Sequence, residues 1–521
     1  MYIKIKYLFP IVSSIFLFNG CGGSTTNIDS EDSDTITQTF KIEQTDGSVK
    51  NSKATLKSSI TVDTNYGTKT LLIWVSNDSF GDTCTKSRCI TQDMVDKLQT
   101  HFLQNGKDND IYDWVTNVYG EEWGSEAQKT YDGFIGETDE INILFTDIEN
   151  DDSPNGGAMG YFYAKDNFKT SVYPNSNEKI MFYIDSVMFA NEDNNDFWQK
   201  ETYSTLAHEF QHMIHFYQKR VIKDISDDTW INEMLSETTE DLIATKINHI
   251  GPRGVSPDDG SAGYENNTQG RYPVFNSNNY ISLTSWDGTL ANYSNVNAFG
   301  TYLTRNYGGA KVLHDILYSN KAHEDSIEEA TNKEFGDLLQ EWGEAVILSS
   351  IENPEGLPTY NFGDFLNTTY NNIEYNLGSI NFFNYNPTPY LYSGSDFNES
   401  VNPQSNLYYI VGEDIDNDID LNISLDSNIK ANAIIKYNTN ECDIQELYDG
   451  ENNITIDDTS NVYVVITNTN PNESSSVAIE HDAKYIAHEQ KTYKLINISK
   501  KIKVPDFVTK FNNNINFKKG K

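Results

Sequence analysis

Residues 206 to 218 read LAHEFQHMIHFYQ, with two histidines four residues apart and a glutamate directly after the first. On a helix, at about 100° and 1.5 Å per residue, His208 and His212 stand about 40° apart around the axis and roughly 6 Å along it. Both imidazoles can therefore reach one ion from one face. Glu209 is swung about 100° away, beside such an ion rather than on it. A water held between that glutamate and zinc can pass its proton to the carboxylate, because zinc lowers the water's pKa to about 7. Leu206, Phe210, Ile214 and Tyr217 recur at core spacing on the opposite side, which turns the histidines toward a cleft. His215 lies a full turn beyond His212 and reads as a packing or cleft-wall histidine.

Two histidines alone could be incidental on a core helix, and a third ligand decides between the readings. DDTWINEMLSETTEDL, residues 227 to 242, offers Asp228 or Thr229 as a helix cap and Glu233, Glu237, Glu240 and Asp241 on one face. By itself that face reads equally well as a solvated acidic stripe. Twenty residues separate His212 from Glu233, room for a loop and a second helix. His208, His212 and Glu233 then make three protein ligands and leave a fourth position for water, as catalytic zinc requires. An oxyanion stabiliser is expected downstream, with Tyr293 as the first choice and Tyr280 and His249 as alternatives. GGAMGYF offers Gly157, Ala158, Met159 and Gly160 as an exposed strand on which an extended peptide could pair.

WINEMLSE following HEFQHMI resembles the glutamate-zinc metallopeptidases, the thermolysin-like group, and most specifically the hyicolysin family of bacterial zinc metallopeptidases. The resemblance runs over roughly residues 70 to 350 and takes in IYDWVTNVYGEEWG, INILFTDI, GGAMGYFYAKD, SNEKIMFYID and AFGTYLTRNYGG. It implies zinc ligation by His208, His212 and Glu233, with Glu209 as catalytic base. Thermolysin-like sites also carry a carboxylate four residues past the ligand glutamate that supports the first histidine. Glu237 holds that place, where thermolysin has the shorter aspartate. The glycine-rich stretch is loosely similar to the G-x-M-E-N stretch of zinc aminopeptidases, but Gly160 and Tyr161 replace the Glu and Asn. Loss of the glutamate that would anchor a free amino end favours endopeptidase action.

The elements that must position these residues are legible in part. TKTLLIWVSND, INILFTDI and KIMFYID read as strands, and ITQDMVDKLQTHF as a helix capped by Thr91. Helical pattern returns over about 199–250 and 294–350; from about 405, NLYYIV, IDLNISL, ANAIIKY, VYVVITN and SVAIEH read as short strands of a β-sandwich. The expected class is α+β: a thermolysin-like catalytic domain followed by a small β-sandwich. The boundaries are a signal peptide at 1–20, a flexible tether at 21–58, the catalytic domain at 59–355, an irregular connection at 356–404, the sandwich at 405–485 and a basic tail at 486–521.

MYIKIKY followed by LFPIVSSIFLF is a positive segment and an apolar run too short to span a bilayer. It ends in Phe18-Asn19-Gly20-Cys21 and resembles a bacterial lipoprotein signal, with Cys21 the lipidated residue; an ordinary secretory signal is the alternative. Of the other cysteines, Cys84 and Cys89 are placed to close a small disulfide loop in an oxidising compartment. A formal net charge of -39 argues against nucleic-acid partners, whose phosphates would be repelled. EDIDNDID at 413–420 and DIENDDSPNGG at 147–157 are weak calcium candidates, the first reading better as a strand with its acids in solvent. Zinc is therefore the expected cofactor, proteins or peptides the expected substrates, and an N-terminal lipid the expected membrane contact. The whole reads as an exported, lipid-anchored zinc endopeptidase of the cell envelope; an aminopeptidase, or a binding protein that keeps the fold without turnover, are the alternatives.

Overall fold

The computed structural model describes residues 36–481, apart from 45, 194, 250–269, 353 and 395, together with 508, 512 and 515. Cys21 lies outside the described residues, as does nearly all of the basic tail. Among the described residues no helix is long and apolar enough to cross a membrane.

A six-stranded sheet forms the first layer: β1 (Thr37–Glu43), β2 (Val49–Thr64), β3 (Gly67–Ser76), β4 (Glu140–Thr146), β5 (Gly160–Phe162) and β6 (Met181–Asp185). Their spatial order is β1-β2-β3-β4-β6-β5, with β3, β4 and β6 parallel and β5 antiparallel at one edge. The parallel strands β4 and β6 are mostly apolar and buried along nearly their whole length, as cover on both faces demands. The three strands expected from sequence are β3, β4 and β6.

The first two strands correct the tether assigned to 21–58, since 37–43 and 49–58 are paired sheet. Phe40, Ile42 and Ala54 are buried there, but the Ser, Thr and Lys between them hide the alternation expected of a strand.

Eleven α-helices are present among the described residues. The first four are α1 (Gln92–Phe102), α2 (Ile111–Tyr119), α3 (Glu126–Thr130) and α4 (Ser186–Phe189). The next two, α5 (Phe197–His215) and α6 (Thr229–Ile243), carry the acid and imidazole side chains singled out above. They are followed by α7 (Arg271–Asn278), α8 (Leu290–Asn306), α9 (Ala310–Tyr318), α10 (Glu324–Thr331) and α11 (Phe335–Leu348). The Thr91 hydroxyl accepts from the Met94 amide and caps α1 as expected. Helix α5 buries Leu206, Phe210 and Ile214 completely and continues at Phe216–Ile222 as a wider π turn, in which Tyr217 is buried too.

The C-terminal β-rich region is two packed sheets around their own core, which includes Leu421, Ile423, Val464, Ile466 and Ile479. One sheet joins Asp396–Val401, Ser475–His481, Ile419–Leu425 and Gly450–Ile454. The other joins Cys442–Leu447, Ile429–Tyr437, Ser460–Asn468, Ser405–Ile415 and Tyr392–Ser393. The sandwich thus begins before residue 405. The expected irregular connection holds two of its strands and a hairpin, Leu366–Tyr370 with Ile373–Leu377. Helix α11 lies on the five-stranded sheet so closely that a Cβ on Gly343 would meet Val465 Cγ1 at 2.5 Å.

A second close approach fixes the helices of the site. A Cβ on Gly300 of α8 would fall 1.9 Å from Thr238 Oγ1 on α6, so this crossing tolerates only glycine. Gly300→Ala is expected to cost about 1–3 kcal/mol of stability through overpacking. Adding Thr238→Ala, which removes the obstructing hydroxyl, should recover part of that loss in urea unfolding. Simple addition of the two single-mutant losses would refute the close-contact explanation.

Candidate metal centre

Three side-chain atoms converge between α5 and α6. Nε2 of His208 and Nε2 of His212 are 3.1 Å apart, and Glu233 Oε2 lies 3.4 Å from each. A metal bound tetrahedrally at about 2.0–2.1 Å sets neighbouring ligands about 3.3–3.4 Å apart, which is nearly this triangle. Glu233 Oε2 is buried and has no hydrogen-bond partner, an orphan that an ion would satisfy. The remaining imidazole nitrogens are already engaged. His208 Nδ1–H donates to Glu240 Oε1 at 2.8 Å, and His212 Nδ1 lies 3.1 Å from Asn232 Oδ1 and 3.0 Å from Ser236 Oγ. With Nδ1 donating, the Nε2 lone pairs point to the centre, the tautomer a metal ligand needs. The donor set and geometry fit zinc.

The charges are set by the same atoms. Burial disfavours the charged form of both histidines, but Glu233 and Glu240 outweigh it at His208 and Glu233 at His212, so both pKa values are raised. Burial likewise works against ionised Glu233, yet the histidines bring it down to about 2. Glu209 differs: burial dominates and pushes it up from the ordinary carboxylate range, against the pull of His212 and His208. A base raised toward neutrality suits proton transfer. Its Oε2 accepts the Phe162 amide of β5 at 2.8 Å, which ties the base to the edge strand.

The support expected from Glu237 is supplied by Glu240 instead. Glu240 takes His208 Nδ1 with one oxygen and the Ser204 hydroxyl, at 2.6 Å, with the other. Glu237 faces Arg271, which donates to both of its oxygens at 2.8 and 2.7 Å, with Asn297 Nδ2 adding a third bond at 3.1 Å. Both acids lie on the turns after Glu233, four and seven residues on, so helical spacing admits either. The direction in which His208 Nδ1 points decides it, and that direction comes from the packing of α5 on α6. The acidic face of α6 is no solvated stripe: Glu233, Glu237, Glu240 and Asp241 are all buried.

Tyr293 sits in the first turn of α8 rather than before it, as Thr289 caps that helix. Its ring lies 5.5 Å from the Arg271 guanidinium. Burial, then the charges of Glu233, Glu237 and Glu209, hold its hydroxyl well above the usual phenol range, so it stays protonated. His249 is instead paired with Glu201 at 2.7 Å, and Tyr280 packs edge-on against Tyr390. His215 is held by Asp227, with Nε2 3.2 Å away, consistent with a packing histidine.

The glycine-rich stretch is displaced from expectation. Only Gly160 of the four residues is in β5, which runs on to Phe162; Gly157 turns at positive φ, and the Met159 carbonyl accepts from the Asp185 amide. Gly160 is required where it stands, because a Cβ would come within 2.9 Å of the Tyr183 carbonyl. Of the four, Ala158 and Gly160 are buried, Met159 is partly buried and Gly157 is exposed. Cys84 and Cys89 are joined as a disulfide. Neither calcium candidate is among the described residues' possible ion-holding clusters, which are His208/His212/Glu233 and His208/Glu237/Glu240. Asp147 is instead neutralised by Lys86 at 2.7 Å.

A pair of histidines and a glutamate on successive helices, beside the edge of a mixed sheet, defines a metallopeptidase-like centre. The chain belongs to the peptidase M30 family, whose model matches residues 49–346. It is 28% identical over 248 residues to the neutral metalloprotease ShpI of Staphylococcus hyicus, a match covering 44% of this chain and 52% of that protein. The chain therefore spans about half the length of that relative. Among solved structures, a GH115 4-O-methyl-α-glucuronidase overlaps 66% of this chain and 55% of its own at 8% identity, but its TM-score of 0.12 carries no argument.

Removing Glu240 and removing Glu237 should have different consequences. Glu240→Ala frees His208 Nδ1 and is expected to weaken zinc affinity about 10–100-fold. Glu237→Ala leaves Arg271 as an uncompensated buried charge and should cost about 3–5 kcal/mol of stability. Zinc titration and denaturant unfolding of both variants check this. Equal zinc losses with no difference in stability would contradict the assignment.

Proposed function

We propose that this protein is a zinc-dependent endopeptidase, with His208, His212 and Glu233 as the ligands and Glu209 as the general base. The observation that carries the reading is the near-tetrahedral triangle of Nε2, Nε2 and Oε2 with its one orphaned oxygen. Zinc held there would polarise a peptide carbonyl and lower the pKa of a water to about 7. Glu209, buried and raised in pKa, accepts the proton of the attacking water and returns it to the leaving amine. Glu240, Asn232 and Ser236 keep the imidazoles in the required tautomer. The protonated Tyr293 hydroxyl is the donor proposed to stabilise the developing oxyanion. Replacement of the aminopeptidase Glu and Asn by Gly160 and Tyr161 favours cleavage within chains. A thermolysin-like arrangement, export and a lipid on Cys21 belong to the same proposal and rest on sequence resemblance.

Glu209→Gln should bind zinc normally yet lose about 10²–10⁴-fold in turnover of an internally quenched peptide blocked at both ends. A chelator should abolish the wild-type activity, and added zinc should restore it. Near-normal turnover by zinc-loaded Glu209→Gln would remove the glutamate from the mechanism.

Anchoring makes a separate prediction. Expressed in a bacterium with a labelled palmitate analogue, the wild type should take up label and Cys21→Ala should not. An unlabelled wild type would leave a plain secretory signal.

A further inference from the structure

The outer edge of β5 is closed by the chain itself. The Phe162 amide and carbonyl both point away from β6, and the Ala164 amide, two residues on, points the same way. The Phe162 amide is taken by Glu209, and Asn512 meets the other two: its Oδ1 accepts from the Ala164 N–H at 2.9 Å, and its Nδ2 donates to the Phe162 carbonyl at 2.8 Å. One side-chain amide thus presents the donor and acceptor that the backbone of an added strand would bring to an edge.

Val508 and Ile515 are buried as well. Val508 is 1% exposed within the cluster of Phe40, Ile42, Tyr161 and Tyr163, and Ile515 is 4% exposed, its carbonyl accepting from Arg220 Nη2 at 2.7 Å. Asn512 also walls the crevice beside His212 together with Phe162, Phe216 and Asp227, leaving about 30 Å³, room for a water or two. The segment's charge is complementary to the acidic chain: Lys500, Lys501, Lys503 and Lys510 precede Asn512, and Asp506 is the sole acid from residue 500 onward.

We propose that Asn512 is an internal competitor for peptide substrate, taking the edge-strand hydrogen bonds that an extended substrate must make next to Glu209. The inference rests on the endopeptidase reading, since only then is β5 a substrate edge. Substrate pairs with the edge when Asn512 gives up these bonds, so Asn512 raises KM without altering the chemistry of bound substrate.

The test is steady-state kinetics of the full-length, zinc-loaded chain on the quenched peptide. Asn512→Ala removes both hydrogen bonds and should lower KM roughly five- to fiftyfold, with kcat within about twofold of wild type. A synthetic peptide of residues 504–518, added in trans, should inhibit the variant competitively, and the same peptide with alanine at position 512 should not. If Asn512→Ala proves unstable, Asn512→Asp serves, because it keeps the acceptor for Ala164 and loses the donor to Phe162. An unmoved KM, or inhibition that substrate does not relieve, overturns the proposal while leaving the endopeptidase reading intact. No hydrolysis by any zinc-bound chain overturns that reading and this proposal with it.

Discussion

The constraint on which the rest depends is the burial of three lone pairs facing one another. His208, His212 and Glu233 bring nitrogen and oxygen atoms to within 3.4 Å in a region shielded from water. Without an ion or protons between them such an arrangement is repulsive, and desolvation adds to the cost. It persists because the surrounding helices over-determine it. The α6–α8 crossing at Gly300 and the fully buried side of α5 leave the ligand face nowhere else to go.

Helix α6 extends the same logic along its length. Its buried carboxylates each meet a specific partner: Glu233 the two histidines, Glu237 Arg271, Glu240 His208, and Asp241 Arg305 at 3.0 Å. Arg271 and Arg305 come from α7 and α8, so ion pairing and helix packing specify the same arrangement. The polar interior behaves as one connected network in which each acid meets a basic group on another element.

The helix spacing of His208, Glu209 and His212 was legible because periodicity alone determines it, and so were the apolar strands β3, β4 and β6. What stayed hidden depended on neighbours far along the chain. Glu240 and Glu237 have equivalent spacing from Glu233, and only the orientation of His208 separates them. Arg271 carries no local signal, since its role is defined by a carboxylate 34 residues away. Asn512 sits in a run of asparagines whose composition suggests a solvated end; its partners lie 348 and 350 residues earlier. Strands β1 and β2 escaped notice because their buried residues are spaced by polar ones with weak alternation.

The start of β1 at Thr37 also sets a leash length. Under the proposed attachment at Cys21, only residues 22–36 separate the lipid from the sheet, in place of the longer span read from composition. Fifteen residues reach at most about 50 Å when fully extended. The folded body would then sweep a shallow zone above its membrane, and targets would have to lie in that zone or be brought to it.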